Sequence, residues 1–378
     1  MASGSGHVRH LYVHLPFCAH RCGYCDFVTA VGGAEAHGPY VEALLVELER
    51  EGDMLAEPLE TVFLGGGTPT FTHGDAFARL LGALPPAREM TVEANPETIT
   101  APLAALLRDH GVTRVSLGAQ SFQAHLLDVL ERRARPDDVR RAVHHLRDVN
   151  FDNISLDLLY GVPGQEPSDL EADLAEALTL GPEHLSCYEL EAKPGTRFTH
   201  AWGGELLRQA EAMEGYFEQV VERLTAAGYR WYETANFCRD VPGRDLRAQH
   251  NLGYWRGRDY LGLGVGAVST VSSAGGVTRR RNRPSVARYI AALGGGADPP
   301  RTFETLDVAT RRRERLMLGL RLDEPLALAE LEGAIDTGAL SWLAERGLVE
   351  REDARGEIRL TRRGRFLGSA VTTELLAA

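Results

Sequence analysis

The feature that most constrains the fold is an alternation of short apolar, β-branched runs with helix-like segments. Six such runs occur in the first half of the chain, at residues 10–15, 61–66, 90–95, 114–120, 153–159 and 184–190. Segments of helical periodicity separate them, for example at residues 38–55 and 168–181. Strands that alternate with helices form βαβ units and pair in parallel. No G-x-G-x-x-G motif follows the first run, so an α/β fold with a partial (β/α)6 barrel of the TIM type is favoured over a dinucleotide-binding fold.

Polar residues follow or end most of these predicted strands. A cysteine-rich segment follows the first strand, Gly-Gly-Gly-Thr-Pro at residues 65–69 follows the second, and Glu93 ends the third. Gln120 closes the fourth strand, Asp157 lies in the fifth, and residues 188–196 follow the sixth. Because barrel chemistry is located at the carboxyl ends of the strands, we expect these residues to meet at one mouth.

Three of the five cysteines fall within eight positions, with the spacing C-x3-C-x2-C: Cys18, Cys22 and Cys25. Residues 1–10 contain no apolar run of signal-peptide length, and no run approaches the about 20 apolar residues of a membrane span. We therefore expect a cytoplasmic protein whose thiols stay reduced. In that compartment a cysteine cluster indicates a metal site or catalysis rather than disulfides.

Two kinds of metal site suit the cysteine segment. A structural zinc ion takes four tetrahedral ligands, and His14 or His20 would supply the fourth. An iron–sulfur cubane has four irons, so three thiolates leave one iron open to a chelating substrate. The spacing alone leaves both alternatives open. Cys187 and Cys238 stand apart and are interpreted as small buried apolar residues.

These residues resemble a known family. Residues 18–25 have the C-x3-C-x2-C form of radical S-adenosylmethionine (SAM) proteins, and residues 65–69 look like the glycine-rich loop of that family. The chain is similar over nearly its whole length to the coproporphyrinogen-oxidase-like branch and, within it, to HemW-type haem chaperones. The segments that carry this similarity are residues 11–27, 92–99, 116–122, 156–165 and 250–267.

Two positions distinguish the chain within that branch. The oxygen-independent oxidase carries a further cysteine two places after the third, where this chain has Phe27, as HemW-type proteins do. The family pattern N-R-x-H corresponds to residues 131–134, in which Arg132 matches but Ala134 replaces the histidine. The resemblance therefore favours a haem chaperone and leaves any role of that histidine without a counterpart.

The resemblance also implies ligands for particular residues. It implies a [4Fe-4S] cluster on the three clustered cysteines, with SAM at the open iron. The residues that it assigns to SAM are Tyr12 and Tyr24 near the cluster, Gly66, Gly67 and Thr68 at the methionine end, and Glu93, Gln120, Arg132 and Asp157 at the amino, carboxylate and ribose groups. It assigns haem to the H-N-x-x-Y-W motif at residues 250–255, with His250 as axial ligand. Without the resemblance, the simpler interpretations are that Glu93 caps a turn and that Arg132 lies on a solvated helix face. His250 would then be a loop histidine whose hydrogen bonds are already made.

The chain divides into three predicted domains. We expect a radical SAM core over residues 1–235, a barrel extension over 236–300 and a C-terminal helical, winged-helix-like domain over 301–378. Such domains often bind DNA, but the formal net charge of -12 argues against nucleic acid.

Two functions remain from the sequence. One is a chaperone that passes haem to apo-cytochromes or other respiratory haem proteins, and the other is an oxygen-independent coproporphyrinogen III oxidase. In neither is a side chain assigned as catalytic, because the cofactor would carry the chemistry. Peripheral membrane association and the choice between monomer and dimer stay open.

Overall fold

The structure is a computed structural model of the 378-residue chain, and it describes residues 7–193 and 197–377. Residues 1–6, at the start of the predicted core domain, and residues 194–196, at the end of the segment predicted to follow the sixth strand, lie outside the described residues. No helix in the described part of the chain is long and apolar enough to cross a membrane.

The secondary structure of the described residues is as follows. The strands are β1 His10–Leu15, β2 Phe17–Cys18, β3 Ala30–Val31, β4 Leu59–Gly66, β5 Ala87–Ala94, β6 Arg114–Gln120, β7 Ile154–Tyr160, β8 His184–Glu189, β9 Tyr229–Trp231, β10 Asn236–Arg239, β11 Leu261–Leu263, β12 Val268–Ser273, β13 Gly276–Asn282, β14 Arg301–Leu306, β15 Leu326–Ala327, β16 Val349–Glu352 and β17 Glu357–Leu360. The helices are α1 Ala34–Glu51, α2 Gly74–Ala83, α3 Ala101–Asp109, α4 Ala124–Val129, α5 Pro136–Asp148, α6 Pro167–Leu180, α7 Arg197–Ala226, α8 Gln249–Trp255, α9 Val286–Gly294, α10 Val308–Gly319, α11 Thr337–Glu345, α12 Arg362–Phe366 and α13 Gly368–Leu375.

The main sheet has nine strands in the order β11-β1-β4-β5-β6-β7-β8-β10-β9. Neighbouring strands from β11 to β8 are parallel, whereas β10 runs antiparallel to both β8 and β9. The six predicted strands are β1, β4, β5, β6, β7 and β8, in the predicted order, and the predicted partial barrel is confirmed. The sheet is open, because β11 and β9 lie at its two edges.

The strands have two faces of different chemistry, because successive side chains of a strand point to opposite sides. Apolar residues on one face pack against the connecting helices; Leu44 of α1, Phe77 of α2 and Leu146 of α5 are buried in this core. The other face carries polar and aromatic side chains at every second position: His10, Tyr12, His14, Thr61, Phe63, Glu89, Thr91, Glu93, Arg114, Ser116, Ser155, Asp157, His184 and Ser186. The inner face of the barrel is therefore polar along its length. Cys187 and Cys238 are buried, as predicted.

Local signals set the ends of the connecting helices. In α6, Pro167 occupies the first turn, and the Glu166 N–H donates to the Asp169 carboxylate at 2.9 Å in a capping box. The helix ends at Gly181, whose φ of 64° is in the left-handed region that glycine adopts without strain. These signals explain why the predicted segment 168–181 is helical almost to its limits.

A second sheet joins the barrel to the C-terminal region. It is antiparallel, in the order β12-β13-β14. Buried Glu47 of α1 anchors it, accepting from Asn282 Nδ2 at 2.8 Å and from Arg301 Nη2 at 2.7 Å. After this sheet, α10 to α13 and the sheet β15-β17-β16 enclose a separate apolar core, the helical, winged-helix-like unit expected there. Since β14 lies in the predicted third domain but pairs with β13, the predicted domain limits stay predictions.

Candidate cofactor site

The three clustered cysteines lie on and directly after β2, next to the carboxyl end of β1. Cys18 ends β2, and the Cys25 N–H donates to the Cys22 carbonyl oxygen at 3.1 Å in a turn. All three thiols are free and partly exposed. Burial raises the pKa of Cys18 and of Cys22, while the neighbouring Arg132 guanidinium acts in the opposite direction. The segment therefore presents three thiols at a mouth that solvent reaches.

The candidate fourth ligands of a zinc site have other hydrogen-bond partners. His14 Nε2 donates to the Val28 carbonyl oxygen at 2.8 Å, and His20 Nε2 donates to the Glu131 carbonyl oxygen at 2.6 Å, while the same nitrogen lies 3.7 Å from Cys22 Sγ. Within residues 7–193 and 197–377, no group of three or more His, Cys, Asp or Glu side chains is arranged to hold a single metal ion. In a cubane each thiolate binds its own iron, so the sulfur atoms need not converge on one point. The donor set of three thiols on one short segment fits a cluster better than a zinc ion.

The glycine-rich segment packs against the cysteine segment. A Cβ on Gly66, whose φ is +112°, would lie 2.5 Å from the His14 ring, and a Cβ on Gly67 would lie 2.5 Å from the Pro16 carbonyl oxygen. The Gly66 N–H donates to Glu93 Oε2 at 3.2 Å. The glycines are therefore required for the contact between the two segments, and they bring backbone rather than side chains to the mouth.

Arg132 is buried and lies beside the cysteines, not on a solvated helix face. Its Nη2 donates to Asn95 Oδ1 and to the Gly118 carbonyl oxygen, both at 2.8 Å, and its Nη1 lies 3.9 Å from Cys22 Sγ. Its Nε is buried and has no hydrogen-bond partner among the described residues. Ala134, in place of the family histidine, is also buried. A buried donor without a partner costs about 1–3 kcal/mol, so an acceptor such as a ligand carboxylate would be stabilised here.

Gln120 ends β6 in a strained conformation. Its φ is +65°, and the pairing of β6 with β7 is irregular between Gly118 and Gln120. A residue other than glycine in the left-handed region costs about 1 kcal/mol or more and persists where its surroundings impose it. The bulge turns the chain at the mouth, and the resulting conformation is of the kind found at ligand sites.

Two partly buried carboxylates lie on the inner face below this mouth. Burial raises the pKa of Glu93 to about 7, and the charge of Asp157 adds to the effect. Asp157 accepts from Ser116 Oγ at 3.1 Å, and burial raises its pKa as well. A pair of desolvated carboxylates favours a cationic or hydroxyl-bearing ligand between them.

The two predicted tyrosines occupy different surroundings. Tyr12 is on the inner face, where its ring stacks on Phe63 with 6.1 Å between centroids. Its hydroxyl donates to His14 Nδ1 at 3.0 Å, because Nε2 of that ring carries the proton donated to a carbonyl. Tyr24 lies on the cysteine segment, with its ring edge against Phe198 at 6.4 Å. The structure thus brings the predicted cysteines, the glycines and most of the SAM residues to one end of the barrel, whereas the Tyr12 ring lies further down the inner face, 6.4 Å from the ring of His250.

His250 lies at the opposite end of the same strands. It is the second residue of α8, which lies beside the first residues of β1, β4 and β5, and it is 1% exposed. Its Nδ1 bonds Thr61 Oγ1 at 2.7 Å, and its Nε2 bonds Tyr254 Oη at 2.9 Å. Burial lowers the pKa of His250 to about 3. Both ring nitrogens thus have partners, and a role as haem ligand requires one of these two hydrogen bonds to open.

Two clefts adjoin α8. One of about 310 Å³ lies on its outer side, against α10. Its lining includes the aromatic and apolar residues Tyr254, Trp255, Tyr260 and Leu318, the arginines Arg258, Arg279, Arg311 and Arg315, and Glu314, which pairs with Arg279 at 2.8 Å. Three lining residues carry a buried polar atom without a partner among the described residues: Trp255 Nε1, Thr270 Oγ1 and Arg315 Nη1. The other cleft, of about 760 Å³, is lined mainly by charged and polar side chains such as Arg88 and Glu89.

Sequence reasoning missed one residue of the mouth. Asn95 donates through Nδ2 to Thr68 Oγ1 at 3.0 Å and accepts from Arg132. It lies inside the matched segment 92–99, next to Glu93, so a signal was present. Its contacts join three loops that are distant in the chain, and no local pattern predicts them.

Comparisons with known proteins agree with this architecture. Residues 12–177 match the family model of the Radical SAM superfamily. The chain is 38% identical to the heme chaperone HemW of Mycobacterium tuberculosis H37Rv, over 97% of this chain and 94% of that protein. It is 33% identical to HemW of Bacillus subtilis, over 95% and 97%.

Among solved structures, coproporphyrinogen III oxidase (HemN) of Escherichia coli superposes with a TM-score of 0.81, covering 99% of this chain and 91% of that one. At 22% identity this likeness shows the fold alone. The relationship to the HemW proteins rests on sequence identities of 33% and 38% over nearly the full length of the chain. The chain belongs to the HemW family of the radical SAM superfamily.

Proposed function

We propose that the protein is a haem-binding chaperone that holds a [4Fe-4S] cluster with SAM and passes haem to respiratory haem proteins. The observation that carries the proposal is the near full-length match to relatives named heme chaperones. Phe27 supports it, because this side chain is 70% exposed at the cysteine mouth where the oxidase would present a further thiol. The alternative, an oxygen-independent coproporphyrinogen III oxidase, lacks that thiol here.

The mouth supplies groups suited to both parts of the cofactor. Cys18, Cys22 and Cys25 would bind three irons, and the bound cluster would supply the electron for cleaving SAM. Arg132 offers its unpaired Nε to a carboxylate, and the paired carboxylates of Glu93 and Asp157 suit an ammonium or ribose hydroxyl groups. The backbone of Gly66 and Gly67 closes one side without a Cβ.

For haem, the outer cleft beside α8 is better suited than the interior position of His250. A haem has a flat apolar body and two carboxylates, which match aromatic faces bordered by arginines. The unpartnered donors Trp255 Nε1 and Arg315 Nη1 favour a ligand that brings acceptors. The larger cleft offers charges but few apolar faces. We therefore propose that haem enters against Tyr254 and Trp255, while His250 as axial ligand remains a separate prediction.

Haem titration of the anaerobically reconstituted protein, with a parallel assay of coproporphyrinogen III decarboxylation, tests the function. We expect haem binding and no conversion of porphyrinogen in the presence of SAM and reductant. Arg311→Glu should weaken haem binding about tenfold or more, because it reverses a charge in the outer cleft. Arg88→Glu, which reverses a charge in the larger cleft only, is the matched control.

Efficient conversion of coproporphyrinogen III with no haem binding would replace the chaperone by the oxidase. An effect of Arg88→Glu equal to that of Arg311→Glu would instead contradict the position of the haem site. Transfer of haem from the loaded protein to an apo-cytochrome would complete the test of delivery.

A further inference from the structure

A network of hydrogen-bonding contacts links two of the clustered cysteines through Thr68, Asn95 and Arg132. Cys18 Sγ lies 3.6 Å from Thr68 Oγ1, which accepts from Asn95 Nδ2 at 3.0 Å. Asn95 Oδ1 accepts from Arg132 Nη2 at 2.8 Å, and Arg132 Nη1 lies 3.9 Å from Cys22 Sγ. The contacts thus run from one cysteine to the other across three loops.

The direction of each hydrogen bond in this network follows from which of its groups can donate and which can accept. A guanidinium only donates, so the oxygen of the Asn95 amide must face Arg132 and its NH₂ group must face Thr68. The Thr68 hydroxyl oxygen therefore accepts from the amide, and its own hydrogen is left for Cys18. Arg132 in this way fixes, through Asn95, a donor that points at the first cysteine.

The backbone of Asn95 is also fixed. Its carbonyl oxygen accepts from the Thr98 N–H at 3.0 Å and from Thr98 Oγ1 at 2.7 Å. Thr68 is 3% exposed, so water does not compete freely for its hydroxyl. The donor is held in place before any cofactor binds.

We propose that Asn95 is a positioning residue that makes the Thr68 hydroxyl an obligatory donor to the sulfur of Cys18 and so tunes the cluster bound there. The proposal rests on the cofactor assignment in the proposed function. A hydrogen bond to a ligating sulfur stabilises the more negative, reduced cluster and raises its reduction potential. Asn95 thereby acts on the cluster through the Thr68 hydroxyl, without a bond to iron and apart from the SAM contact that the family resemblance implies for Thr68.

The test is the midpoint potential of the reconstituted cluster in four single variants and one double variant, with its electron paramagnetic resonance spectrum as second readout. Thr68→Val removes the donor and should shift the potential to a more negative value, whereas Thr68→Ser should keep the parent value. Thr70→Val is the matched control, because the Thr70 hydroxyl bonds Thr98 Oγ1 at 2.6 Å and no cysteine.

Asn95→Asp tests the orientation argument. It replaces the donating NH₂ by an acceptor, so the Thr68 hydroxyl should turn towards it and away from Cys18. The potential should fall, in part through lost sulfur bonding and in part through the added charge. In the Thr68→Val background only the charge remains, so Asn95→Asp should shift the potential less there than in the parent.

The outcomes separate this proposal from the cofactor assignment. A parent that takes up no iron and sulfide would overturn the cofactor assignment and this proposal with it. A loaded parent whose potential and spectrum are unchanged in Thr68→Val and Asn95→Asp would overturn only the positioning role. If those two variants fold but load no cluster while Thr70→Val loads normally, the network is needed to assemble the cluster, and the proposed role in tuning its potential is overturned.

Discussion

The cysteine mouth and the α8 region lie at opposite ends of the same strands and treat their polar side chains differently. At the mouth, Arg132 Nε has no partner in the described chain and Gln120 is held in a strained conformation. At α8, Thr61 Oγ1 bonds both His10 Nδ1 at 2.9 Å and His250 Nδ1 at 2.7 Å, and the second nitrogen of His250 bonds Tyr254. The mouth keeps an unpartnered donor, whereas both nitrogens of the buried His250 ring already have partners.

This difference shows what a sequence motif does and does not specify. A motif names residues of suitable chemistry, but the fold decides whether their donors and acceptors remain free. Unpaired buried groups destabilise a fold by about 1–3 kcal/mol each, so they persist where a ligand compensates for them. By this criterion the mouth is prepared for a ligand, and the inner position of His250 is not.

The largest expected effect is on the cluster itself. Replacing Cys18, Cys22 or Cys25 singly by Ser should abolish the broad visible absorbance of anaerobically reconstituted protein, because each thiolate holds one iron. Cys187→Ser and Cys238→Ser are matched controls that should retain the absorbance, since both thiols are buried away from the mouth. One zinc per chain, without iron or sulfide, would contradict the cluster assignment.

The strand order and the position of the mouth follow from the sequence, because periodicity is local and parallel strands place their carboxyl ends together. The polar inner face is also predictable from the sequence of the strands, because Glu89, Thr91 and Glu93 alternate with apolar residues in β5. The contacts of Asn95 and the burial of His250 were not predictable. Both depend on pairings between distant segments, such as Asn95 with Arg132 and His250 with Thr61.

A smaller effect, on the free energy of unfolding, distinguishes a His250 ring that is buried in the interior from one that is exposed as a ligand. His250→Ala removes a fully buried ring and leaves Thr61 and Tyr254 without their partner, so the free energy of unfolding should fall by about 2–4 kcal/mol. The exposed His144, replaced by Ala, should change it by less than about 0.5 kcal/mol. Urea unfolding of the cluster-free protein measures both.

Haem titration of the same two variants completes this comparison. A His250→Ala variant of parental stability that has lost haem binding would show that the ring is released to act as a ligand. A destabilised variant that still binds haem with an unchanged spectrum would place the iron donor elsewhere.

The smallest effect is a pH dependence with opposite signs for binding and for folding. The pKa of Glu93 is about 7, raised from 4.5 by burial and by Asp157. If its carboxylate meets the ammonium group of SAM, affinity should rise about tenfold per pH unit up to pH 7 and then level off. The ligand-free protein should behave oppositely, because a carboxyl with a raised pKa binds its proton more tightly when folded. That contribution to stability is complete below pH 4.5 and is lost as the pH rises to 7.

Glu93→Gln should flatten both profiles, since the amide does not titrate in this range. Glu89→Gln is the sharper control, because burial also raises the pKa of Glu89 but this side chain lies beside His250 at the other end of the barrel. It should change the pH dependence of stability and leave that of SAM binding as in the parent. Equal effects of the two variants on SAM binding would mean that the ends are coupled through the polar inner face. A pH-independent affinity in the parent would contradict the pairing of a Glu93 carboxyl of raised pKa with the SAM cation.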